Sequence, residues 1–350
     1  MTIQENVALA PLTTFKVGGP ARHFADCASD SDVQKAVAHA AHHNLPLFVL
    51  GGGSNLVVAD SGWPGLVVKI SIKGIEETAR GFFRVGAGEE WDPFVAHAVK
   101  ENYGGVECLS GIPGSVGGTP VQNVGAYGQE VSETLEYVRV LEIASGKVLE
   151  LNNAECGFSY RNSIFNSTHR GRYIVLWVAY QLEREAEPRI EYADLKKYFA
   201  GSSTPPTLQD VRTAVRNIRQ SKAMLIVEGD EDCRSAGSFF KNPQVTPADA
   251  DRVDALARKR VPDKVLIRYP GQNGLVKLPA AWLVEQAGFP KGYARGAAGI
   301  SRKHTLALVN RGGATAKDII ALKDEVQQRV LEVWGIKLEP EPVFIGFDKI

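Results

Sequence analysis

Short apolar runs, separated by glycines and by amphipathic segments, characterise the first third of the chain. The runs at 45–50, 65–70 and 82–88 each lie next to a glycine, and their apolar pattern predicts strands. Segments 29–44 and 91–102 place apolar residues at helical spacing, which predicts helices. This alternation predicts α/β units with frequent glycine turns.

The middle of the chain changes from strands to a charged segment. Two alternating runs within 134–152 meet at Ser145 and Gly146, which predicts a hairpin, and 172–185 predicts a further strand. We interpret 186–230 as a connecting region whose first part is charged and loop-like, and whose later part, 207–222, predicts a helix.

The last third has clear helix boundaries. Thr246 and Pro247 are typical of an N-cap and a first helical position. Thr315 predicts the start of a helix that Gly335 ends. Helical spacing is kept by Ile319, Leu322, Val326 and Val330.

Composition and charge limit the classes of partner. The 350 residues are 44% hydrophobic and 23% charged, which is ordinary for a globular protein. Forty basic residues balance forty acidic ones, so we expect neither a nucleic-acid nor a membrane partner, and any charged ligand requires a local cluster. No segment has the pattern of a secretory signal or a membrane span, and we predict a cytoplasmic protein.

Cysteine and histidine spacing argues against metal chemistry. Cys27, Cys108, Cys156 and Cys233 stand far apart without a C-x-x-C pair, so free thiols in a reducing compartment are expected. The histidines at 39, 42 and 43 have no carboxylate or cysteine partner in the pattern, and we predict no metal site.

Two glycine-rich segments are candidate ligand loops. The first glycine loop, LGGGSN at 50–55, leads into an apolar strand, so it matches neither the dinucleotide-binding nor the P-loop pattern. It is either a tight turn or an anion-binding nest. The second glycine loop, 110–130, contains six glycines and two prolines together with apolar residues. It is either a structural crossover or a site for a flat apolar ring and a phosphate.

The segment SAGSFFKNP at 235–243 raises a separate question about Ser238. No histidine lies near it in sequence, and G-S-F is not the G-x-S-x-G nucleophile motif. Ser238 is therefore a nucleophile, a proton donor or a turn residue, and local sequence leaves these open.

Six segments occur in a fixed order across nearly the whole chain: TTFKVGG, GGGSN, IPGSVGGTPVQNVGAYG, SYRNSIF, GSFFKNP and LEPE. Together they resemble the UDP-N-acetylenolpyruvoylglucosamine reductases, flavoenzymes of peptidoglycan precursor synthesis. IEYADL, with Tyr192, is similar to the subtype that carries a tyrosine-bearing substrate loop. The resemblance implies FAD and NADPH as cofactors and UDP-N-acetylglucosamine enolpyruvate as the small-molecule nucleotide-sugar substrate. No oligomer is implied, and we expect a monomer.

The resemblance also implies an α+β fold. An FAD-binding module of the vanillyl-alcohol-oxidase type, made of two α/β subdomains at 1–71 and 72–228, is followed by a C-terminal α/β substrate-binding domain at 229–350. The substrate loop is expected near 186–206. Since neither glycine loop contains histidine or cysteine, we expect noncovalent FAD.

Residue roles carry over from the matching motifs. The implied catalytic residues are Ser238, Arg161 and Glu341. The implied FAD-binding residues are Gly51, Gly52, Gly53, Ser54, Asn55, Leu56, Ile112, Pro113, Gly117, Gly118, Val121, Asn123, Val124 and Gly125. The implied substrate-binding residues are Tyr127, Arg161, Tyr192, Lys222, Asn242 and His304. Two departures are the LEPEPVFIG segment, where Pro342 and Val343 replace a pattern with an arginine, and the acidic stretch at 227–232.

The implied reaction explains these residue types. Hydride adds to the terminal enolpyruvyl carbon, which leaves negative charge on the α-carbon and the carboxylate. Arg161 suits the carboxylate because its planar guanidinium pairs bidentately. Glu341 helps only when protonated, which burial favours. Ser238 gives a proton to a strongly basic carbanion-like centre and needs no histidine for that.

Two other hypotheses stay open at this point. The same FAD module occurs in oxidases that act on sugars or lactones with dioxygen, and such an oxidase would not need GSFFKNP. A nucleotide-sugar-binding regulator without turnover would leave Ser238, Arg161 and Glu341 unexplained.

Overall fold

The computed structural model describes residues 1–347, which divide into two compact units. Unit 1 consists of Met1–Val7, Ala21–Gly53 and Trp63–Ile226. Unit 2 consists of Ala8–Pro20, Ser54–Gly62 and the chain from Val227 onward. The division at 1–71, 72–228 and 229–350 stays a prediction, and residues 348–350 of its last domain lie outside the described residues.

Helices and strands are mixed throughout, as the α+β prediction requires. In chain order the strands are β1 Ile3–Ala8, β2 Pro20–Cys27, β3 Leu47–Leu50, β4 Leu56–Val58, β5 Trp63–Ile70, β6 Ile75–Ala79, β7 Phe82–Gly86, β8 Tyr103–Gly104, β9 Gly125–Ala126, β10 Gln129–Glu130, β11 Leu135–Glu142, β12 Val148–Asn152, β13 Tyr173–Gln181, β14 Glu183–Arg184, β15 Gln244–Val245, β16 Tyr269–Pro270, β17 Val276–Lys277, β18 Ala294–Arg295, β19 Ala298–Ile300, β20 Leu308–Asn310 and β21 Val343–Ile345. The helices are α1 Asp30–His42, α2 Trp91–Lys100, α3 Ala193–Phe199, α4 Leu208–Ser221, α5 Pro247–Arg260, α6 Ala280–Gln286 and α7 Ala316–Trp334.

A four-stranded sheet in the order β1-β2-β5-β3 forms one layer of unit 1. Strand β5 pairs in parallel with both β2 and β3, and its Leu66, Val67 and Val68 are fully buried, as expected for a central parallel strand. Helix α1 shares the core of this sheet through a stripe of buried residues with helical spacing: Val33, Ala36, Val37 and Ala40.

A five-stranded antiparallel sheet in the order β12-β11-β13-β7-β6 forms the other large layer of unit 1. Helix α2 packs on it through aromatic contacts, because Phe94 stacks on Tyr180 of β13 with ring centroids 5.3 Å apart. The Trp91 indole of the same helix donates to the Leu109 carbonyl at 3.0 Å, which fixes the start of the second glycine loop.

Helix α7 is the central element of unit 2. Its buried face includes Ile319, Leu322, Val326 and Val330, which pack in one core with Phe239 and Phe240. Two small antiparallel sheets, β15-β17-β16 and β18-β19-β20, and the parallel pair of β21 with β4 surround this core.

The structure confirms most predicted elements where local signals are strong. Helix α7 begins after Thr315, whose hydroxyl accepts the Asp318 N–H, and ends at Gly335, whose φ is +66°. The prediction that the first part of 186–230 is loop-like is wrong for 193–199, where α3 forms. That helix has seven residues, and only Leu195 is buried, so it leaves no periodic apolar pattern in the sequence.

Residues 1–347 contain neither a membrane-spanning helix nor a cluster of metal ligands. None of the helices there combines the length and the apolarity that crossing a bilayer requires. Within the same range, no group of three or more His, Cys, Asp or Glu side chains is placed to hold a metal ion.

The cap of α7 generates a prediction about stability. Replacing Thr315 by alanine removes the acceptor of the Asp318 N–H, and we expect a loss of about 1 kcal/mol in the free energy of unfolding. Thermal melting followed by circular dichroism measures this loss, and Thr315→Ser, which keeps the hydroxyl, is the control. Equal melting temperatures for the alanine and serine variants would contradict the capping role.

Candidate active site

The two glycine loops touch each other in unit 1 without intervening side chains. A Cβ atom added to Gly52 would lie 2.5 Å from the Gly114 Cα and 2.8 Å from the Ser115 nitrogen. A Cβ atom on Gly51 would lie 2.8 Å from the Ser115 Oγ. Glycine is therefore required in the first loop because the two backbones pack directly against each other.

The second glycine loop is held by backbone hydrogen bonds. The Trp91 N–H donates to the Gly114 carbonyl at 3.0 Å, and the Val116 N–H donates to the Glu89 carbonyl at 2.8 Å. The Gly117 N–H donates to the Ala87 carbonyl at 2.9 Å. This part of the loop is thus an ordered extension of the turn between β7 and α2.

The chemistry of the loops fits a dinucleotide that carries a pyrophosphate and a flat ring. Among residues 1–347, no group accepts a hydrogen bond from the N–H of Gly51, Gly52 or Gly53. Unpaired N–H groups in a glycine turn form an anion-binding concavity. Ile112, Pro113 and Val121 are half-buried in the second loop and offer apolar surface, while a Cβ added to Gly118 would meet no protein atom within 4 Å.

The remaining predicted FAD-binding residues differ in what their side chains do. The Asn123 amide donates to the Glu130 carboxylate at 2.8 Å and to the Ser159 carbonyl at 3.2 Å, and its oxygen accepts the Ser132 N–H. Its side chain therefore holds the loop, which leaves the backbone for a ligand contact. Val124 is buried.

The continuation of the first loop lies in unit 2. Ser54, Asn55 and Leu56 belong to the segment that enters β4, and the Asn55 side chain donates to the Glu341 carbonyl at 3.3 Å. The Thr14 hydroxyl also lies near the Ser54 carbonyl, at 3.4 Å.

Arg161 has a fixed position in unit 1. Its guanidinium donates to the Gly125 carbonyl at 2.7 Å and lies 5.4 Å from the centroid of the Tyr160 ring. Its φ of +55° is unusual for a non-glycine residue, and the Asn166 amide secures this conformation by donating to the Arg161 carbonyl. The arginine is therefore directed at the second glycine loop.

Three predicted substrate-binding residues come together beside the end of α4. The rings of Tyr127 and Tyr192 meet edge to face at 5.4 Å, and the Lys222 ammonium forms an ion pair with Asp194 at 2.7 Å. Burial raises the pKa of Tyr127, with opposing effects from the charges of Arg219 and Lys222, so its hydroxyl stays protonated at neutral pH.

Sequence reasoning left out charged residues around this cluster. Arg219 is only 7% exposed and donates to the carbonyls of Gly111 at 3.1 Å and Met224 at 2.7 Å. Arg212, also buried, pairs with Asp92. The available signal was that Arg212 and Arg219 lie seven residues apart on the apolar face of the predicted helix, where charged residues are unexpected.

The segment from Ser238 to Lys241 in unit 2 forms backbone hydrogen bonds with two other segments, one at Leu306 and one at 339–341. The Phe239 N–H donates to the Leu306 carbonyl at 2.8 Å, and the Phe239 carbonyl accepts the Glu341 N–H at 2.9 Å. The Lys241 N–H donates to the Glu339 carbonyl at 2.9 Å. Backbone pairing thus brings three distant parts of the sequence together.

Ser238 has a histidine neighbour that local sequence did not reveal. Its Oγ lies 3.2 Å from the Nε2 of His304, which precedes the Leu306 segment by two residues. Ser238, His304 and Glu341 are all half-buried, whereas Phe239 and Phe240 are buried. Asn242 follows on the same segment, and its Oδ1 accepts the Ala280 N–H at 2.9 Å, which orients its amide at the start of α6.

The predicted site residues therefore form distinct groups in each unit. Unit 1 contains the first glycine loop as far as Gly53, the second glycine loop with Arg161, and the cluster of Tyr127, Tyr192 and Lys222, whereas Ser54, Asn55 and Leu56 belong to unit 2. Unit 2 contains Ser238, His304, Glu341 and Asn242.

Two family models match the chain. The model of the FAD binding domain matches residues 21–152, which confirms the prediction of an FAD-binding module. The model of the UDP-N-acetylenolpyruvoylglucosamine reductase C-terminal domain matches residues 229–345.

Full-length relatives and a solved structure agree with these matches. UDP-N-acetylenolpyruvoylglucosamine reductase of Thermobifida fusca is 48% identical over 351 aligned residues, which cover 97% of both chains. The protein of that name from Nocardia farcinica is 45% identical over 352 residues and covers 99% of this chain and 90% of its own. The crystal structure of UDP-N-acetylenolpyruvylglucosamine reductase from Thermus caldophilus superposes with a TM-score of 0.68 at 26% identity, over 98% of this chain and all of the other.

The contact between the glycine loops generates a prediction about FAD. Gly52→Ala forces the loops apart because its Cβ would lie 2.5 Å from Gly114, and we expect about tenfold weaker FAD binding. The ratio of flavin to protein absorbance in the purified variant, and titration with FAD, measure the loss.

Gly118→Ala is the matched control because its added methyl group meets no protein atom within 4 Å. This variant should keep the wild-type melting temperature, and any FAD it loses reports direct contact with the cofactor. Wild-type FAD content in Gly52→Ala would contradict the cofactor role of the first loop.

Proposed function

The chain belongs to the UDP-N-acetylenolpyruvoylglucosamine reductase family, and from this we propose that it reduces UDP-N-acetylglucosamine enolpyruvate to UDP-N-acetylmuramate in peptidoglycan precursor synthesis. NADPH is the reductant and FAD the cofactor. The observation that carries the proposal beyond family membership is the contact between Ser238 and His304, on a segment whose other edge pairs with Glu341. When bound, FAD supplies a two-electron carrier between NADPH and the substrate.

Ser238 is the proposed proton donor to the substrate's α-carbon. In one tautomer His304 carries a proton on Nε2 and donates to the Ser238 Oγ, which leaves the serine hydroxyl proton for the substrate. We assign this arrangement, because the same N–H also stabilises the serine oxygen once its proton has left. A serine hydroxyl is otherwise a weak acid, and the hydrogen bond from His304 makes that of Ser238 a better proton donor.

Arg161 is the proposed partner of the substrate carboxylate. Its guanidinium is planar and always charged, which matches the geometry of a carboxylate, and the hydrogen bond to the Gly125 carbonyl holds it beside the second glycine loop. The bond also restricts the guanidinium to one direction, which lowers the entropy that substrate binding would otherwise cost.

Glu341 is proposed to donate a hydrogen bond to the developing oxyanion. Its backbone is fixed by the bond from its N–H to the Phe239 carbonyl, and it lies between Pro340 and the buried Pro342. A carboxyl can donate such a hydrogen bond only in its protonated form, and this is the form that the proposal assigns to Glu341.

Tyr127, Tyr192 and Lys222 are proposed to bind the diphosphate of the nucleotide sugar. A protonated tyrosine and an ammonium group both donate hydrogen bonds to phosphate oxygens. A diphosphate carries more negative charge than the Asp194 carboxylate that now pairs with Lys222, so it competes for the ammonium group. Asn242 of unit 2 is proposed as a separate substrate contact, because its Oδ1 accepts the Ala280 N–H and this bond orients its amide group.

The proposal also covers the oligomeric state and the cellular location of the protein. We propose a monomer that acts in the cytoplasm. In support, the four cysteines are buried and none of them forms a disulfide within residues 1–347, as expected in a reducing compartment.

The proposed function is tested with purified protein, NADPH and the enolpyruvyl nucleotide sugar. We expect NADPH oxidation that depends on the substrate, and a product heavier by two hydrogens. Hydrogen peroxide formed from a sugar and dioxygen would support an oxidase instead, and binding of the nucleotide sugar without turnover would support a regulator.

Ser238→Ala should separate the two halves of the reaction. NADPH oxidation in the absence of the second substrate should keep its rate, while reduction of the enolpyruvyl substrate should slow by about 10²–10⁴-fold, as for loss of a general acid. Stopped-flow absorbance of the bound FAD measures each half.

Ser235→Ala is the control for Ser238→Ala. Ser235 lies in the same segment, and its hydroxyl accepts the Gly237 N–H at 3.2 Å, so its loss perturbs the local backbone without removing the proposed proton donor. If both halves of the reaction slow equally in Ser238→Ala, its role is structural.

Glu341→Gln should retain far more activity than Glu341→Asp. Glutamine keeps an uncharged donor at the same reach, whereas aspartate is shorter and ionises more readily; loss of one oxyanion donor typically costs about 10²–10³ in turnover. The rate of substrate reduction should fall at high pH in the wild type, as a protonated Glu341 loses its proton, and this fall should be absent in Glu341→Gln.

Single-turnover rates across pH for both variants decide the matter, with Glu339→Gln as the control two residues away. Higher activity of Glu341→Asp than of Glu341→Gln, together with an unchanged pH profile in Glu341→Gln, would show that Glu341 works as an anion.

A further inference from the structure

The backbone of Gly111, where the second glycine loop begins, is held from both sides by charged side chains. Its N–H donates to Asp92 Oδ1 at 2.6 Å, and its carbonyl accepts from Arg219 Nε at 3.1 Å. Gly111 is buried with a φ of +71°, and a Cβ there would lie 2.9 Å from the Leu225 side chain. The left-handed backbone conformation strongly favours glycine at this position.

Asp92 itself is held by helix α4. Arg212 pairs with it bidentately, with Nη1 at 2.6 Å from Oδ1 and Nη2 at 3.1 Å from Oδ2. Arg216, one turn further along α4, also donates to Oδ2. Burial alone pushes the pKa of Asp92 up, but the hydrogen bonds from Arg212 and Gly111 and the two guanidinium charges lower it overall, so the carboxylate is charged at neutral pH.

The same helix carries Arg219 on its buried face and leads directly into Lys222, a proposed substrate contact. Two side chains of α4 therefore meet the Gly111 backbone, Arg219 directly and Arg212 through Asp92. Three residues beyond Gly111, Gly114 packs against Gly52 of the first loop. A continuous set of short contacts within unit 1 thus runs from Lys222 to the unpaired N–H groups of the first loop.

We propose that Asp92 is a positioning residue that couples the FAD-binding loops to the substrate-binding end of α4. It takes one loop N–H and two helix guanidinium groups on a single carboxylate, so loop and helix adopt their arrangement together. This inference rests on the proposed function of Lys222 and of the glycine loops, and it adds a residue outside the matching motifs. An ion pair that served only stability would require the arginines but not the bond to Gly111.

Asp92→Asn tests the coupling because it keeps the size and one oxygen of the side chain but removes the charge that holds Arg212 and Arg216. We expect FAD to dissociate from the holoenzyme with a dissociation constant raised about tenfold or more, since hydrogen bonds to charged groups are strong. The increase in FAD fluorescence on dilution measures it. We also expect an altered visible circular dichroism of the bound FAD and a higher KM for the nucleotide sugar at saturating FAD.

Asp30→Asn is the matched control in the same unit. The Asp30 carboxylate accepts from Arg139 at 3.2 Å and from the Trp177 indole at 3.2 Å, and it is about as exposed as Asp92, at 27% against 24%. Asp30→Asn should lower the melting temperature and leave the FAD dissociation constant within about twofold of the wild type. The same outcome for Asp92→Asn would reduce Asp92 to a structural ion pair and overturn the proposal.

Arg216→Gln covers the case in which Asp92→Asn does not fold. It removes one of the two guanidinium groups and leaves the bidentate pair with Arg212, so we expect a smaller rise in the FAD dissociation constant and faster hydrogen exchange at 110–118 in the holoenzyme. Unchanged exchange and unchanged FAD affinity would overturn the proposal. A wild-type protein that binds FAD but does not reduce the enolpyruvyl substrate would refute the proposed function, while the comparison of FAD affinities would still decide the role of Asp92.

Discussion

The direct contact of backbone with backbone at Gly52 and Gly114 is the constraint on which the candidate cofactor site depends. Because no Cβ fits there, only glycine lets the two loops approach this closely, and within residues 1–347 the N–H groups at 51–53 have no acceptor. The second loop is tied to Glu89 and Ala87 by its own N–H groups, so its glycines serve packing more than flexibility. The site is therefore ordered before any ligand arrives, which lowers the entropic cost of binding.

Unit 2 achieves a comparable order by backbone pairing. The Phe239 N–H donates to the Leu306 carbonyl on one side, and the Phe239 carbonyl accepts the Glu341 N–H on the other. The burial of Phe239 and Phe240 secures the segment as well. The buried pair Phe239 and Phe240 thus sets the position of Ser238, which precedes it in the chain. A small shift of either neighbouring segment would move His304 or Glu341 relative to Ser238. Both segments bond to the backbone of Phe239, the residue next to Ser238.

A structural feature was predictable from the sequence when the residues that determine it lie close together along the chain. Helix α7 was predictable at both ends because a threonine cap and a left-handed glycine act within one turn. Composition identified the two glycine loops as unusual segments but left them open between structural turns and ligand sites. Helix α3 was not predictable, because its single buried residue, Leu195, gives no period. The contact of Ser238 with His304 spans 66 residues and follows from strand pairing, which no local pattern encodes. Arg212 and Arg219 were visible in the sequence as charges on an apolar face, and only their partners explain them.

The pairing of β4 with β21 carries a consequence for the order in which the chain folds. Leu56 aligns with Val343, and the Asn55 side chain reaches the Glu341 carbonyl across 286 residues of sequence. During synthesis β4 leaves the ribosome long before its partner β21 is made, so the edge of β4 stays unpaired while the residues between the two strands are synthesised. Closing so large a loop is a late and slow event. The Glu341 segment is therefore a late element to find its place, and Glu341 can join the proposed catalytic residues only after β21 has been synthesised.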